Sequence, residues 1–315
     1  MVLLSRVAES LYWMSRNVER AETLARILDV NYNRTVDRNA AGRERATRVW
    51  RSVFDMAGIS ADVEETLDGA SLASAAFERC TFSTEYRTSI VSCIRIARAN
   101  ALSVRAELST EVWECINGLY LFVEAQSPRS VAREGPSSFL RSVRDTAQAF
   151  GGIVDATVSH DDEWNFLQIG RYLERSAMTA RILRNHDFSD ESAHEWQRLL
   201  EMCCASEPFA KAQRLSSDPN EALSFLFLHR SFPRSIRFCT HEVDRALHRI
   251  SETPMGAYSN EAERVTGRLQ AMLDFVQIGE VLDEGGDRFA ARFAERADAI
   301  GSAIQASYFP RVPVG

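Results

Sequence analysis

Apolar residues recur every three or four positions along most of this chain, the period of an α-helix laid against a core. Leu4, Val7, Leu11, Met14, Val18, Ala21, Ala25 and Leu28 make one stripe, and Trp13, Leu24 and Ile27 make a second on another face. A helix over about 3–32 that is apolar on most sides is expected to be central. The same period predicts helices near 43–57, 69–79, 86–108, 110–125, 137–156, 161–186, 191–204, 206–215, 219–229, 232–252, 259–281 and 285–307. Ser109, Thr110 and Glu111, just ahead of Trp113, have the chemistry of a helix start. Breaks fall at NRTVDRNAAGRE after Tyr32 and at SADVEETLDG, and the stretch QSPRSVAREGPSS around Pro128 and Pro136 is the candidate connection between two halves. Strand-like alternation is nearly absent, and Gly and Pro number only 15 and 8. The expected fold class is all-α, a single helical bundle.

Two of these helices are near copies. Residues 13–28 read WMSRNVERAETLARIL and residues 168–183 read QIGRYLERSAMTARIL. They share Arg16/Arg171, Glu19/Glu174, Arg20/Arg175, Ala25/Ala180, Arg26/Arg181, Ile27/Ile182 and Leu28/Leu183. Further on, Trp50 matches Trp196, Met56 matches Met202, and Ser89, Ile90 and Cys93 match Ser235, Ile236 and Cys239. Landmarks kept in one order point to an internal duplication, and the repeat is too long for a solenoid unit. It suits one domain over 1–315 built from halves of about 1–135 and 137–315, related by a pseudo-two-fold axis.

The duplicated helices put charge where the pattern is otherwise apolar. An ion in a low-dielectric interior is costly unless it is paired and hydrogen-bonded. Arg16, Glu19 and Arg20 are neighbours on one helix, and Arg171, Glu174 and Arg175 repeat them. Two readings stay open. In one, Glu19 pairs with Arg175 and Glu174 with Arg20, a structural network fixing the register of the halves. In the other, Glu19, Arg20, Glu174 and Arg175 are catalytic candidates, with Arg16 and Arg171 as forks for a carboxylate or phosphate. Glu114 and Asn117 lie one turn apart, with Asn100 and Arg105 in the preceding segment, and are candidate substrate-binding groups or an interhelical hydrogen-bond network. Glu22 and Arg26 form a commonplace helix pair, absent from the second copy, where Ala177 replaces Glu22.

Composition narrows the chemistry. The 315 residues are 45% hydrophobic, enough for a large core, and the net charge of −7 argues against a nucleic-acid surface. Lys211 is the sole lysine, and its context EPFAKAQ fits neither a phosphate loop nor a Schiff base. His194-Glu195 and His241-Glu242 resemble the start of a zinc helix, but Arg198 and Arg245 stand where the second histidine belongs, so no metal is expected. His160, Asp161, Asp162 and Glu163 form an acidic helix start, which the helix dipole alone favours. No cofactor loop is present. The 6 cysteines show no CxxC pair and read as reduced thiols. Arg6 and Glu9 interrupt the first apolar stretch, so no signal peptide is expected, and no run is long enough to span a membrane. A cytoplasmic protein is the expectation.

The segments LLSRVAESLYWMSRNVERAE (3–22), LSTEVWECINGLY (108–120), FLQIGRYLERSAMTARIL (166–183) and FLFLHRSFPRSIRFC (225–239) together resemble the alpha-E domain family, bacterial all-helical proteins named for a recurring Glu-Arg motif. The resemblance covers the whole chain. Asn17 departs from it, standing where the family tends to have an aromatic such as Tyr172; so does TFSTEYRT, where the family tends towards an Asp/Asn/Pro-rich turn. The resemblance implies a genomic setting beside a circularly permuted ATP-grasp protein, often with a transglutaminase-like peptidase, and so amide- or peptide-bond chemistry. It implies a partner or accessory protein of such a ligase, with an enzyme acting through the Glu-Arg constellation as the alternative. The segment 228–238, with Arg230, Phe232 and Arg234, is the candidate docking face.

Overall fold

The first helix, α1 (Ser5–Arg34), follows from its two apolar stripes: nearly every residue from Val7 to Asn31 is buried or half-buried. The computed structural model describes residues 5–34, 40–59, 69–188, 192–212 and 218–310. Among them are fifteen helices and no strand. After α1 come α2 (Ala40–Ala57), α3 (Gly69–Phe82), α4 (Ile90–Ser103), α5 (Thr110–Glu124), α6 (Pro128–Glu134), α7 (Pro136–Thr157) and α8 (Asp162–Arg184). Then come α9 (Ala193–Met202), α10 (Ser206–Ala212), α11 (Pro219–Leu228), α12 (Ile236–Ser251), α13 (Glu261–Phe275), α14 (Ile278–Glu284) and α15 (Gly286–Tyr308). The all-α expectation holds. Most of the expected break SADVEETLDG, and the ends of the helices placed at 3–32, 191–204 and 206–215, lie outside the described residues.

Two expected features differ. The stretch 126–138 is not an open connection but carries the seven-residue α6, started by Ser127, whose hydroxyl accepts from the Ser130 amide, and by Pro128. The single helix expected over 259–281 is broken: Val276 is extended, and Gln277 starts α14 with Glu280 reaching back to its amide. An apolar period carries through such a break, because the helices on either side bury the same face.

The chain divides into two compact units. The first comprises Met1–Arg16, Asn100–Glu107 and Val158–Gly315; the second comprises Asn17–Ala99 and Leu108–Thr157. In the first, α8 is packed between α12 and α15, α13 lies against both of these, and α11 and α14 lean on them. The sequence of α8 explains its place: Phe166, Leu167, Ile169, Leu173, Met178, Ile182 and Leu183 bury several faces at once. Gly170 lets α1 come close, since a Cβ there would lie 2.4 Å from the Tyr12 carbonyl oxygen. In the second unit α2 packs on α3, and α7 on α5 and α6, around Trp50, Phe54, Ile116, Phe139 and Phe150.

The repeated segments of the sequence have similar local structure. The run α4–α5–α6–α7 is repeated by α12–α13–α14–α15. Val112, Ile116, Leu119 and Val123 of α5 are buried, and so are their counterparts Ala262, Thr266, Leu269 and Leu273 of α13. Phe139, Leu140, Val143, Ala147 and Phe150 of α7 correspond to the buried Phe289, Ala290, Phe293, Ala297 and Ile300 of α15. Gly135 and Gly285 end the short helices with the same backbone, φ 95° and 97°, a region that favours glycine.

Candidate functional site

In the first unit the repeated motif contributes an ion pair. Arg16 Nε and Nη2 lie 2.9 and 2.7 Å from Glu174 Oε2. The third nitrogen, Nη1, donates to the Tyr12 hydroxyl at 2.8 Å. The guanidinium stands over the rings of Tyr12 and Trp13, 5.4 and 5.1 Å from their centroids. Gly301 of α15 and Leu173 of α8 close around it. The Glu174 side chain is 1% exposed and that of Arg16 11%. Helical spacing sets Tyr12 and Arg16 on one face of α1, and the close approach at Gly170 brings that face to Glu174. Hydrogen bonds between a guanidinium and a carboxylate are charge-assisted and stronger than neutral ones.

The other candidates of this unit do different work. Arg171 is buried, and its Nη1 donates to Gln168 Oε1 at 3.2 Å. Arg175 is half-buried, lies over Tyr172 at 5.3 Å, and donates to the Pro233 carbonyl at 3.3 Å. Thr179 donates to the Arg234 carbonyl at 3.1 Å, so α8 holds the 229–235 turn by two backbone oxygens. That turn corrects the expected docking face. Arg230 is exposed, but Phe232 is buried against Phe225, with ring centroids 4.7 Å apart, and Arg234 is buried too. Beside the turn a cleft of about 400 Å³ is lined by Cys204, Pro208, Phe225, His229 and Phe232 among others.

In the second unit Glu19 is buried and Arg20 half-buried. Asn117 accepts from Arg98 Nε at 2.9 Å, whereas Glu114 is exposed, so the two do not face one interior as the sequence suggested. Glu22 and Arg26 form a buried helix pair, and Gln148 Nε2 donates to Glu22 Oε1 at 3.1 Å. Arg144 pairs with Asp29 at 2.8 Å, a contact with no trace in the repeat. The two would-be zinc helices are explained as well. Each arginine in the histidine position bonds the preceding glutamate, Arg198 to Glu195 at 2.6 Å and Arg245 to Glu242 at 3.0 Å.

Reactivity elsewhere is damped. Burial pushes the Cys80 thiol up to about 12 and raises Cys115 as well, which keeps both protonated. The six cysteines are thiols rather than disulfides. At the start of α8, burial first and then neighbouring carboxylates raise Asp162 and Glu163. Among the described residues no group of three or more His, Cys, Asp or Glu side chains is arranged to hold a metal ion. None of the described helices is long and apolar enough to cross a membrane.

Sequence reasoning missed a second charged cluster, between α12 and α13. Asp244, His248 and Glu263 are buried there, with Gln270 two turns beyond Glu263 on α13. Burial raises the Asp244 carboxyl, partly offset by His248 and His241. Nothing in the repeat marks these residues, because their counterparts are Arg98, Leu102, Trp113 and Tyr120.

Comparison with known proteins adds the family. A family model described as a predicted alpha-helical domain with a conserved ER motif, Alpha-E, matches residues 3–309. Uncharacterized proteins of Mycobacterium bovis and Mycobacterium tuberculosis are 22% identical over 318 residues, covering 95% of this chain and 36% of each relative. The chain thus spans about a third of the length of these relatives. No solved structure matches it. The matched span runs through both copies of the Glu-Arg motif and nearly every described helix, and the chain belongs to the Alpha-E family.

Proposed function

We propose that this chain is a non-catalytic helical partner of an amide- or peptide-forming ligase of the circularly permuted ATP-grasp type, acting in the cytoplasm. The observation that carries the non-catalytic part is the Arg16–Glu174 pair: the motif carboxylate is neutralised, bonded and 1% exposed. A general base needs a reachable lone pair, and the bonded oxygen of this buried carboxylate is taken up by the guanidinium. The ligase setting comes from the family resemblance, with a transglutaminase-like peptidase as a further component. Six cysteines held as thiols fit a reducing compartment. We also infer that the halves, about 1–135 and 137–315, form one domain about a pseudo-two-fold axis; the repeated order α4–α7 and α12–α15 supports this.

The docking face suggested by exposure is the end of α13 and α14. Phe275 is 84% exposed, Leu282 is also exposed, and Phe275 lines a groove of about 500 Å³ with Met272, Phe289 and Arg292. Aromatic and arginine side chains dominate binding hot spots. The test is sedimentation of this chain with the ATP-grasp protein of the same genome, with ligase turnover measured alongside. The expected result is a complex that raises turnover and is weakened by Phe275→Asp. Independent sedimentation at tens of micromolar, with turnover unchanged, would sink the partner reading and favour an enzyme using Glu19, Arg20, Glu174 and Arg175.

A further inference from the structure

The cleft of about 400 Å³ beside the 229–235 turn has an apolar wall and a basic one. Its residues come from the end of α9, from α10 and α11, and from the turn, all within the first unit. On the apolar side the rings of Phe225 and Phe232 stand 4.7 Å apart, and Pro208, Ala212 and Pro233 extend the surface. On the polar side are His229 and Arg234. No aspartate or glutamate occurs among the described lining residues, so the cleft is opposite in sign to a chain of net charge −7. The Ser231 amide donates to His229 Nδ1 at 3.3 Å, so that nitrogen holds the lone pair and Nε2 the ring proton. Burial lowers the His229 pKa, which favours the same neutral form. His229 thus has one N–H, on Nε2, to offer a ligand. The turn is tied to α8 through the Pro233 and Arg234 carbonyls, so the cleft is preformed.

The other copy of the turn shows that the fold does not require these side chains. The Ser83 carbonyl accepts from Ser89 Oγ as the His229 carbonyl accepts from Ser235 Oγ, which fixes the register between the copies. At that register Arg79 stands for Phe225, Ser83 for His229 and Thr88 for Arg234. The end of α9 differs too. The Gly58 and Ile59 amides bond the Asp55 and Phe54 carbonyls, as the Cys204 and Ala205 amides bond those of Glu201 and Leu200. Gly58 and Cys204 are both left-handed, with φ 66° and 55°, a region that favours glycine. The first unit therefore carries a half-buried cysteine in the cleft wall where the second unit has no side chain.

We propose that this cleft binds a small aromatic carboxylate, its ring against Phe225 and Phe232 and its carboxylate on His229 Nε2–H and the Arg234 guanidinium. A guanidinium has five N–H donors, so it can serve a ligand carboxylate beside an existing partner. Hydrogen bonds from it to a carboxylate are charge-assisted. A few polar groups in a mostly apolar pocket of this size are the usual make-up of a small-molecule site. A cation would meet no carboxylate among the described lining residues, and a ligand without a ring would leave the apolar wall uncovered. The site is independent of the ligase-partner reading.

The test is calorimetry and thermal unfolding of the whole chain with sodium phenylacetate at fixed pH and ionic strength. Benzyl alcohol serves as the ring-only probe and sodium acetate as the carboxylate-only probe. Brief alkylation with iodoacetamide, read by peptide mapping, reports on the cleft wall through Cys204. The expected result is saturable binding of phenylacetate, a raised Tm and slower alkylation of Cys204, with neither control matching it. His229→Ala is expected to bind roughly tenfold more weakly, the scale of one hydrogen bond to a charged group. Ala212 is exposed at the end of α10, so Ala212→Trp should put bulk into the cleft, keep the parent Tm and lose the response to phenylacetate. No saturable response to phenylacetate, an equal response to either control, or binding unchanged in both variants would overturn the proposal.

Discussion

Glu174 and Arg16 show how one residue's setting decides between chemistry and architecture. Removing the carboxylate strands a guanidinium that is itself largely buried. Glu174→Ala is therefore expected to lower unfolding free energy by about 3–5 kcal/mol, measured by urea denaturation. A loss under 1 kcal/mol would mean that the pair is not structural. Asp244 behaves oppositely. Its folded pKa is raised, by burial first, so its protonated form is the one that stabilises the fold. That contribution is complete below its unfolded pKa of about 3.9 and is lost as pH rises through the folded value. The groups facing it are His248 and His241 on α12 and Glu263 and Asp274 on α13; the histidines lower its pKa and the carboxylates raise it. Asp244→Asn is expected to be more stable than the parent at pH 7.5, with the difference vanishing towards pH 4. Denaturation curves at the two pH values check the sign. The thiols give a third prediction: the half-exposed Cys204 should react with a thiol reagent in the native protein well before Cys80, whose burial keeps it protonated. Peptide mapping after brief labelling reads the order.

At the scale of elements, two contacts rest on single positions. Gly170 has no room for a Cβ, and the atom it would meet is backbone of α1, which cannot swing aside. Gly170→Ala is expected to cost about 1–3 kcal/mol by forcing the helices apart, despite alanine's better helix propensity, and a melting-temperature comparison tests it. The second contact is the serine that starts α4 and α12. Ser89 Oγ accepts from the Ser92 amide and donates to the Ser83 carbonyl, and Ser235 Oγ does the same with Phe238 and His229. Cys93 and Cys239 point their thiols at the same turns, towards the Arg87 and Pro233 carbonyls. The recurring Ser-Ile-x-x-Cys motif is thus a helix start locked to its preceding turn, and Ser235→Ala should cost about 1 kcal/mol or more. Its recurrence was legible in the sequence because capping acts within a few residues. The break between α13 and α14 was not, since the apolar stripe continues across it while the backbone turns at Val276.

At the scale of the whole molecule, periodicity by itself determined the helical class and the place of nearly every helix, and the Glu-Arg motif pointed to the family. These are properties of short stretches: an apolar stripe recurs every three or four residues, and a copied segment keeps its spacing wherever it lies. The sequence also flagged Arg16 and Glu174 as costly ions on apolar helices. Only the tertiary structure decided their pairing. Among the arginines of α1, Arg16 is the one shown on Glu174, and it lies on the turn that the approach at Gly170 brings to that carboxylate. Tertiary packing also buried Phe232 and Arg234, which local composition had read as a surface. The acidic seam between α12 and α13 likewise escaped the sequence, because its residues lie on different helices and differ from their repeat counterparts. Whether a buried charge finds a donor depends on which helix faces it, and local pattern carries no record of that.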